Sequence, residues 1–221
     1  ISLPVTKHNY LVTEVEELAA TIKEAFYLAR SGRPGPILID LPKDVSLEKT
    51  EFEYPKTVDL DSYSPTYQGH KKQIAKAAEA INKASKPLLY VGGGSVISGA
   101  EREVRELVDK AQIPITTTLM ALGIYPESKP LSLGMLGMHG TKSANFATVE
   151  TDLVIAVGAR FDDRVTGTLD TFLPNADIIH IDIDPAEIGK NIEADIPIVG
   201  DVKQVLQKLL PKIESQPENQ W

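Results

Sequence analysis

A doubly wound α/β fold, with helices packed on both faces of a parallel sheet, is what this sequence predicts. Short apolar runs at 88–91, 113–117, 153–157, 178–183 and 196–199 alternate with stretches of helical apolar spacing at 70–85, 100–111, 142–149 and 202–213. That alternation is the mark of strand–helix–strand units. Gly92-Gly93-Gly94 stands directly between a strand and a helix, where such folds make their tightest turn. Polar residues gather just after several of the strands, and ligands of doubly wound sheets bind at strand carboxyl ends.

Taken in order, Thr13 and Glu16 have the spacing of a capping box, which opens a helix. Val15, Leu18, Ala19, Ile22, Ala25, Phe26 and Ala29 then recur on one face, and Ser31-Gly32 with Pro34-Gly35-Pro36 ends the helix. Ile37-Leu38-Ile39-Asp40-Leu41 is almost continuously apolar, as expected of a strand covered on both faces. One helix and one strand cannot bury a core, so residues 1–45 read as the end of a domain begun upstream. Residues 46–69 have no helical or strand period and read as a linker. Residues 70–215 hold the doubly wound domain, closed by an amphipathic helix at 202–213. Residues 216–221 are polar and read as the start of a further linker.

Composition narrows the function. Lys and Arg total 23 against 31 Asp and Glu, a net charge of −8, and the pI is near 5.1. Nucleic acids and anionic membranes demand a concentrated basic face, so neither is an expected partner. The longest clean apolar stretch is Leu153 to Val157, far short of the roughly 18 residues a membrane helix needs. The absence of cysteine excludes disulfide scaffolds, thiolate zinc sites and cysteine nucleophiles, and fits a reducing compartment. The chain opens at Ile1 with no basic-then-apolar leader, and reads as a piece of a longer one.

The glycine run has two readings. It can bring backbone amides to a pyrophosphate, or it can be a tight packing turn. A nicotinamide site is disfavoured, because Ile97 stands where a third glycine belongs and Ile115-Thr116-Thr117-Thr118 offers no acid for a ribose. No Walker lysine pattern and no nucleophile elbow occur, and His8, His70, His139 and His180 lack metal-ligand spacing. Four loops stand out after the strands: 117–120, 158–164, 180–184 and 200–202. In them Asp182 and Asp201 suit ribose or ribityl hydroxyls and Arg160 suits a phosphate. The alternative for each aspartate is a helix cap or a turn.

Several motifs resemble acetohydroxyacid (acetolactate) synthases, a family of thiamine-diphosphate enzymes. They are Thr6-Lys7-His8-Asn9-Tyr10-Leu11-Val12, the stretch from Gly32-Arg33-Pro34-Gly35-Pro36 to Asp40-Leu41-Pro42-Lys43-Asp44-Val45, Met135-Leu136-Gly137-Met138-His139-Gly140, Phe161-Asp162-Asp163-Arg164-Val165-Thr166-Gly167, and His180-Ile181-Asp182-Ile183-Asp184-Pro185 through Asn191. The resemblance implies that residues 1–45 end a thiamine-pyrimidine domain and that residues 70–215 form the Rossmann-like central domain that holds FAD. It implies an FAD site lined by Gly93, Thr118, Leu119, Leu136, Gly137, Met138, His139, Gly158, Ala159, Arg160, Phe161, Asp162, Asp182, Ile183, Asp201 and Val202. Lys7, Met138, Asp163 and Arg164 would lie near the substrate channel. No catalytic residue and no metal ligand is implied within these 221 residues; the thiamine diphosphate and Mg2+ sites would lie outside them, and the chain alone is expected to be inactive. The implied reaction is that of a transferase in branched-chain amino-acid synthesis. It decarboxylates pyruvate and ligates the two-carbon unit to a second 2-ketoacid, pyruvate or 2-ketobutyrate. A homodimer or tetramer, a regulatory small subunit, and a prokaryotic cytoplasm or a plastid stroma are also implied. The competing readings are a pyruvate oxidase or glyoxylate carboligase type of relative, and a stand-alone nucleotide-binding module.

Overall fold

Pairing between distant segments, rather than local pattern, builds the first part of the chain. The computed structural model describes residues 1–217 and 221 and divides into two units, Ile1–Pro65 and Thr66–Trp221. In the first, strand β1 (His8–Leu11) runs parallel to β2 (Ile37–Asp40), with His8 opposite Ile37. Helix α1 (Leu18–Arg30) connects them and buries Ala25 and Leu28. Three expectations change here. Strand β1 is not announced by its polar sequence and exists through its pairing with β2. Thr13 and Glu16 form no capping box: a 3-10 turn at Val15–Glu17 opens the helix, and its own i→i+3 bonds, Glu17 N–H to Glu14 O and Leu18 N–H to Val15 O, satisfy the first amides. The β2 strand is covered on one face only, since α1 packs on one side and Leu38 is 42% exposed on the other.

No helix or strand lies between residues 48 and 70. The second unit then begins with helix α2 (Lys71–Lys83), strand β3 (Pro87–Val91), the short helix α3 (Gly93–Ile97), helix α4 (Glu101–Ala111) and strand β4 (Ile115–Thr117). It continues through β5 (Ser132–Met135), α5 (Lys142–Glu150), β6 (Leu153–Val157), α6 (Asp163–Thr166), β7 (Asp177–Asp182), β8 (Ile196–Val199) and α7 (Val202–Leu209). The six strands β3 to β8 form one sheet in the order β5-β4-β3-β6-β7-β8, every neighbouring pair parallel. Alternate side chains divide the core. Leu89, Ile155 and Ile179 face the layer made by α2, α4 and α7, while Leu88, Tyr90 and Val154 face α5 and the loops around Phe161. Burying each large apolar side chain of this kind contributes about 1.5–3 kcal/mol.

Sequence and structure part at a few points. Strand β5 was not expected, because Ser132 and Gly134 break any apolar pattern; it is an edge strand with a register shift opposite Ile115/Thr116. Strand β4 starts at Ile115 rather than 113 and β7 ends at Asp182. The last helix ends at Leu209 and tightens into a 3-10 turn at Leu210–Lys212, where Pro211 has no N–H to continue it. The expected exit segment at 216–221 falls partly on 218–220, outside the described residues.

Candidate functional site

All six strands of the second unit point the same way, so their carboxyl ends share one edge. From β3 the chain works outward to β4 and β5, and from β6 outward to β7 and β8. The order therefore reverses between β3 and β6, where doubly wound sheets place ligands. Backbone bonds carry the loops on from the strands: Thr118 N–H to Val91 O at 2.9 Å, Gly158 N–H to Ile181 O at 2.8 Å and Gly200 N–H to Asp182 O at 2.8 Å.

The glycines at the reversal have separable roles. A Cβ on Gly92 would lie 2.3 Å from Gly158 O, one on Gly94 2.8 Å from Gly158 Cα, and one on Gly158 2.6 Å from Ser95 N. Gly94 N–H donates to Gly158 O at 2.9 Å and the Ser95 hydroxyl to Val157 O at 2.9 Å. Gly92, Gly94 and Gly158 thus let two loops pass with backbone against backbone, the packing-turn reading of the run. Gly93 differs, because its Cβ would meet Met120 at 2.9 Å. Beside it Leu119 and Met120 are exposed, and the Thr118 hydroxyl is buried with no hydrogen-bond partner among the described residues.

The aspartates are caps as well as candidates. Asp201 Oδ1 accepts from Gln204 N–H at 3.1 Å and starts α7; Asp162 Oδ1 accepts from Arg164 N–H at 3.3 Å and starts α6; Asp182 Oδ1 accepts from Asp184 N–H at 2.9 Å, with Ile183 between them. The Val202 side chain lies in the three-helix core, leaving only its main chain at the edge. The 136–140 loop meets α6: Met138 N–H donates to Arg164 O at 2.9 Å, and Gly137, at φ +98°, has no room for a Cβ within 2.5 Å of that same oxygen. Leu136 is buried beneath them, whereas Met138 and His139 are exposed. Arg160 lies 3.5 Å from Asp162 and Arg164 3.9 Å from Asp163, both loose surface pairs. Met138, Asp163 and Arg164 are therefore brought together. Lys7 lies in the first unit, where its ammonium donates to Leu28 O at 2.6 Å, Ser31 O at 2.6 Å and the Tyr63 hydroxyl at 2.8 Å.

Three side chains that sequence reasoning did not single out hold the loop after β6. Imidazole Nε2 of His180 lies 3.0 Å from Ala159 O, the Tyr90 hydroxyl donates to Arg160 O at 3.4 Å, and Asn191 Nδ2 donates to Phe161 O at 2.6 Å. The Phe161 ring is buried edge-on to His180, with centroids 5.3 Å apart. Burial holds the His180 pKa below its ordinary value, against the opposing effects of the Ala159 carbonyl and Glu187. His180 and Asn191 sit in a quoted motif but Tyr90 is hidden inside an apolar strand, and nothing in the sequence joins the three.

A parallel doubly wound sheet with its glycine-lined reversal at β3 and β6 defines a Rossmann-like α/β domain. The chain belongs to the thiamine pyrophosphate enzyme family, whose central-domain profile matches residues 74–209. Among curated proteins it is similar to an acetolactate synthase of Arthrospira platensis, 55% identical over 96% of this chain and 38% of that protein. A probable acetolactate synthase large subunit of Methanocaldococcus jannaschii is 53% identical over 94% of this chain and 36% of its own length. An acetolactate synthase large subunit of Corynebacterium glutamicum is 50% identical over 100% of this chain and 36% of its own length. The chain thus spans a little over a third of the length of these relatives.

Proposed function

We propose that this chain is the central part of an acetolactate synthase catalytic subunit and that the carboxyl edge of its sheet holds FAD. The observation that carries the reading is similarity of 50–55% identity to acetolactate synthases over 96–100% of the chain. In this reading the complete protein decarboxylates pyruvate and joins the two-carbon unit to pyruvate or 2-ketobutyrate, in branched-chain amino-acid synthesis. Thiamine diphosphate and Mg2+ are held by sequence outside residues 1–221.

The edge fits a flavin dinucleotide. The buried Thr118 hydroxyl has no hydrogen-bond partner among the described residues and could take one from a ligand, and Gly93 carries no Cβ to press on Met120. Arg160, only loosely paired with Asp162 at 3.5 Å, can turn to a phosphate, and Asp182 and Asp201 can accept from sugar hydroxyls. Because the ligation involves no net redox change, bound FAD supplies structural order there rather than electron transfer. Arg164 holds the carboxylate of the second 2-ketoacid by its two-pronged guanidinium, beside exposed Met138. Lys7 is assigned to the neighbourhood of the substrate channel by the resemblance alone; in its own unit it is engaged on three sides and is not a free cation. The assembly is a homodimer or tetramer, with a regulatory small subunit and 2-ketoacid substrates as partners, in a prokaryotic cytoplasm or a plastid stroma. Among the described residues no helix is long and apolar enough to cross a membrane.

The test is to supply the full-length protein with pyruvate, thiamine diphosphate and Mg2+ and to assay acetolactate. Acetolactate as the main product supports the reading. Decarboxylation to acetate with peroxide, or no turnover at all, contradicts it.

A further inference from the structure

We infer that Tyr90, His180 and Asn191 act together as positioning residues for the flavin edge, by fixing three consecutive carbonyl groups in the loop after β6. The inference rests on the FAD reading above. The loop leaves β6 with Gly158 N–H bonded to Ile181 O at 2.8 Å and enters α6 through the Asp162 cap. Between these anchors the carbonyls of Ala159, Arg160 and Phe161 have, in turn, His180 Nε2 at 3.0 Å, the Tyr90 hydroxyl at 3.4 Å and Asn191 Nδ2 at 2.6 Å. The three donors come from β7, β3 and the segment after β7. No single element could hold the loop in this way.

Two features mark this as more than core filling. An imidazole that donates Nε2–H to Ala159 O has Nδ1 as its acceptor nitrogen, and that atom is buried with no hydrogen-bond partner among the described residues. A leucine there would avoid that desolvation cost; the histidine keeps it and holds a carbonyl. The loop so held also carries Arg160, whose exposed guanidinium is bound only loosely. Fixing the backbone on either side of Arg160 lowers the ordering cost of binding an anion.

The experiment measures FAD affinity of the full-length protein by flavin fluorescence, alongside hydrogen exchange at residues 159–162. The double variant Tyr90→Phe with Asn191→Ala removes two donors; Asn191 is exposed and Tyr90→Phe keeps the ring, so the fold stays intact. We expect FAD binding about tenfold weaker, with most of the loss from the short Asn191 bond at 2.6 Å and less from the long Tyr90 contact at 3.4 Å. Exchange in the loop should quicken, and the flavin-free protein should still melt in one cooperative step, at a somewhat lower temperature. His180→Gln, which can keep an N–H toward Ala159 O, should bind FAD nearly as wild type does, and His180→Leu should not. Unchanged affinity in the double variant while the wild type binds FAD overturns this inference alone, whether or not His180→Leu folds. A wild type that takes up no FAD overturns the FAD reading and this inference with it.

Discussion

Alanine at three glycines separates overlap from backbone strain at the reversal of the sheet. Gly99 has φ +65° with nothing within 4 Å of a Cβ, so Gly99→Ala meets strain alone, about 1–2 kcal/mol for a left-handed residue. Gly92 has an ordinary negative φ, but its Cβ would lie 2.3 Å from Gly158 O and 2.5 Å from Ala159 Cα. Both neighbours are backbone and cannot swing aside, so Gly92→Ala should cost about 1–3 kcal/mol or more, the range of overpacking. Gly158 combines the two, with φ +56° and a Cβ 2.6 Å from Ser95 N. Its loss is the sum of both effects, about 2–5 kcal/mol. Urea unfolding with a common m-value reads these differences directly; for a chain of this size each kcal/mol also lowers Tm by about 2–4 °C. The reasoning fails if Gly92→Ala is as stable as wild type, or if Gly99→Ala costs as much as Gly158→Ala.

Other expectations are open to simpler checks. Arg164→Lys keeps the charge and loses the fork. A surface pair with Asp163 would lose under about 1 kcal/mol of stability, whereas a carboxylate clamp would lose about tenfold or more in ligation. We expect the second outcome in the full-length protein, with pyruvate decarboxylation spared; wild-type acetolactate yield and acceptor preference would refute it. His180 has a folded pKa below its ordinary 6.5, so the folded state binds fewer protons than the unfolded one between the two values. Its contribution is complete above about pH 6.5 and is lost as pH falls below that. His180→Gln should flatten this part of the stability–pH curve, and an unchanged slope would count against the assignment. Lys7→Met keeps the stem but removes the donor to Leu28 O and one of the two donors to Ser31 O, which still accepts from the Tyr63 hydroxyl at 3.1 Å. It should destabilise the first unit by about 1–3 kcal/mol, seen as faster proteolysis near residues 28–31, and unchanged proteolysis would refute that role.

The architecture was legible wherever burial wrote it into the sequence. Central strands such as β6, with every residue buried, must be apolar throughout, so they can be read without knowing their neighbours. The elements that escaped depend on partners far along the chain. Strand β1 is polar at His8 and Asn9 and is defined by β2, and β5 contains Ser132 and Gly134 at the sheet edge. Position at the strand ends was also legible, because loop polarity and sheet direction suffice to gather Thr118, Arg160, Asp182 and Asp201 on one edge. The division of labour within the glycine run was not. Gly92 and Gly94 pack against Gly158 while Gly93 faces Met120, and only three-dimensional contact separates them. The same holds for the carbonyl-holding set, whose members lie on three segments.

What occupies the carboxyl edge tests the central claim most directly. The full-length protein, purified without added cofactor or after loading with FAD and removal of the excess, would be denatured and the released small molecules identified by absorbance and chromatography. The account predicts FAD, approaching one per chain, and no nicotinamide dinucleotide. Stoichiometric NAD without flavin, or no nucleotide retained even after loading, would contradict it.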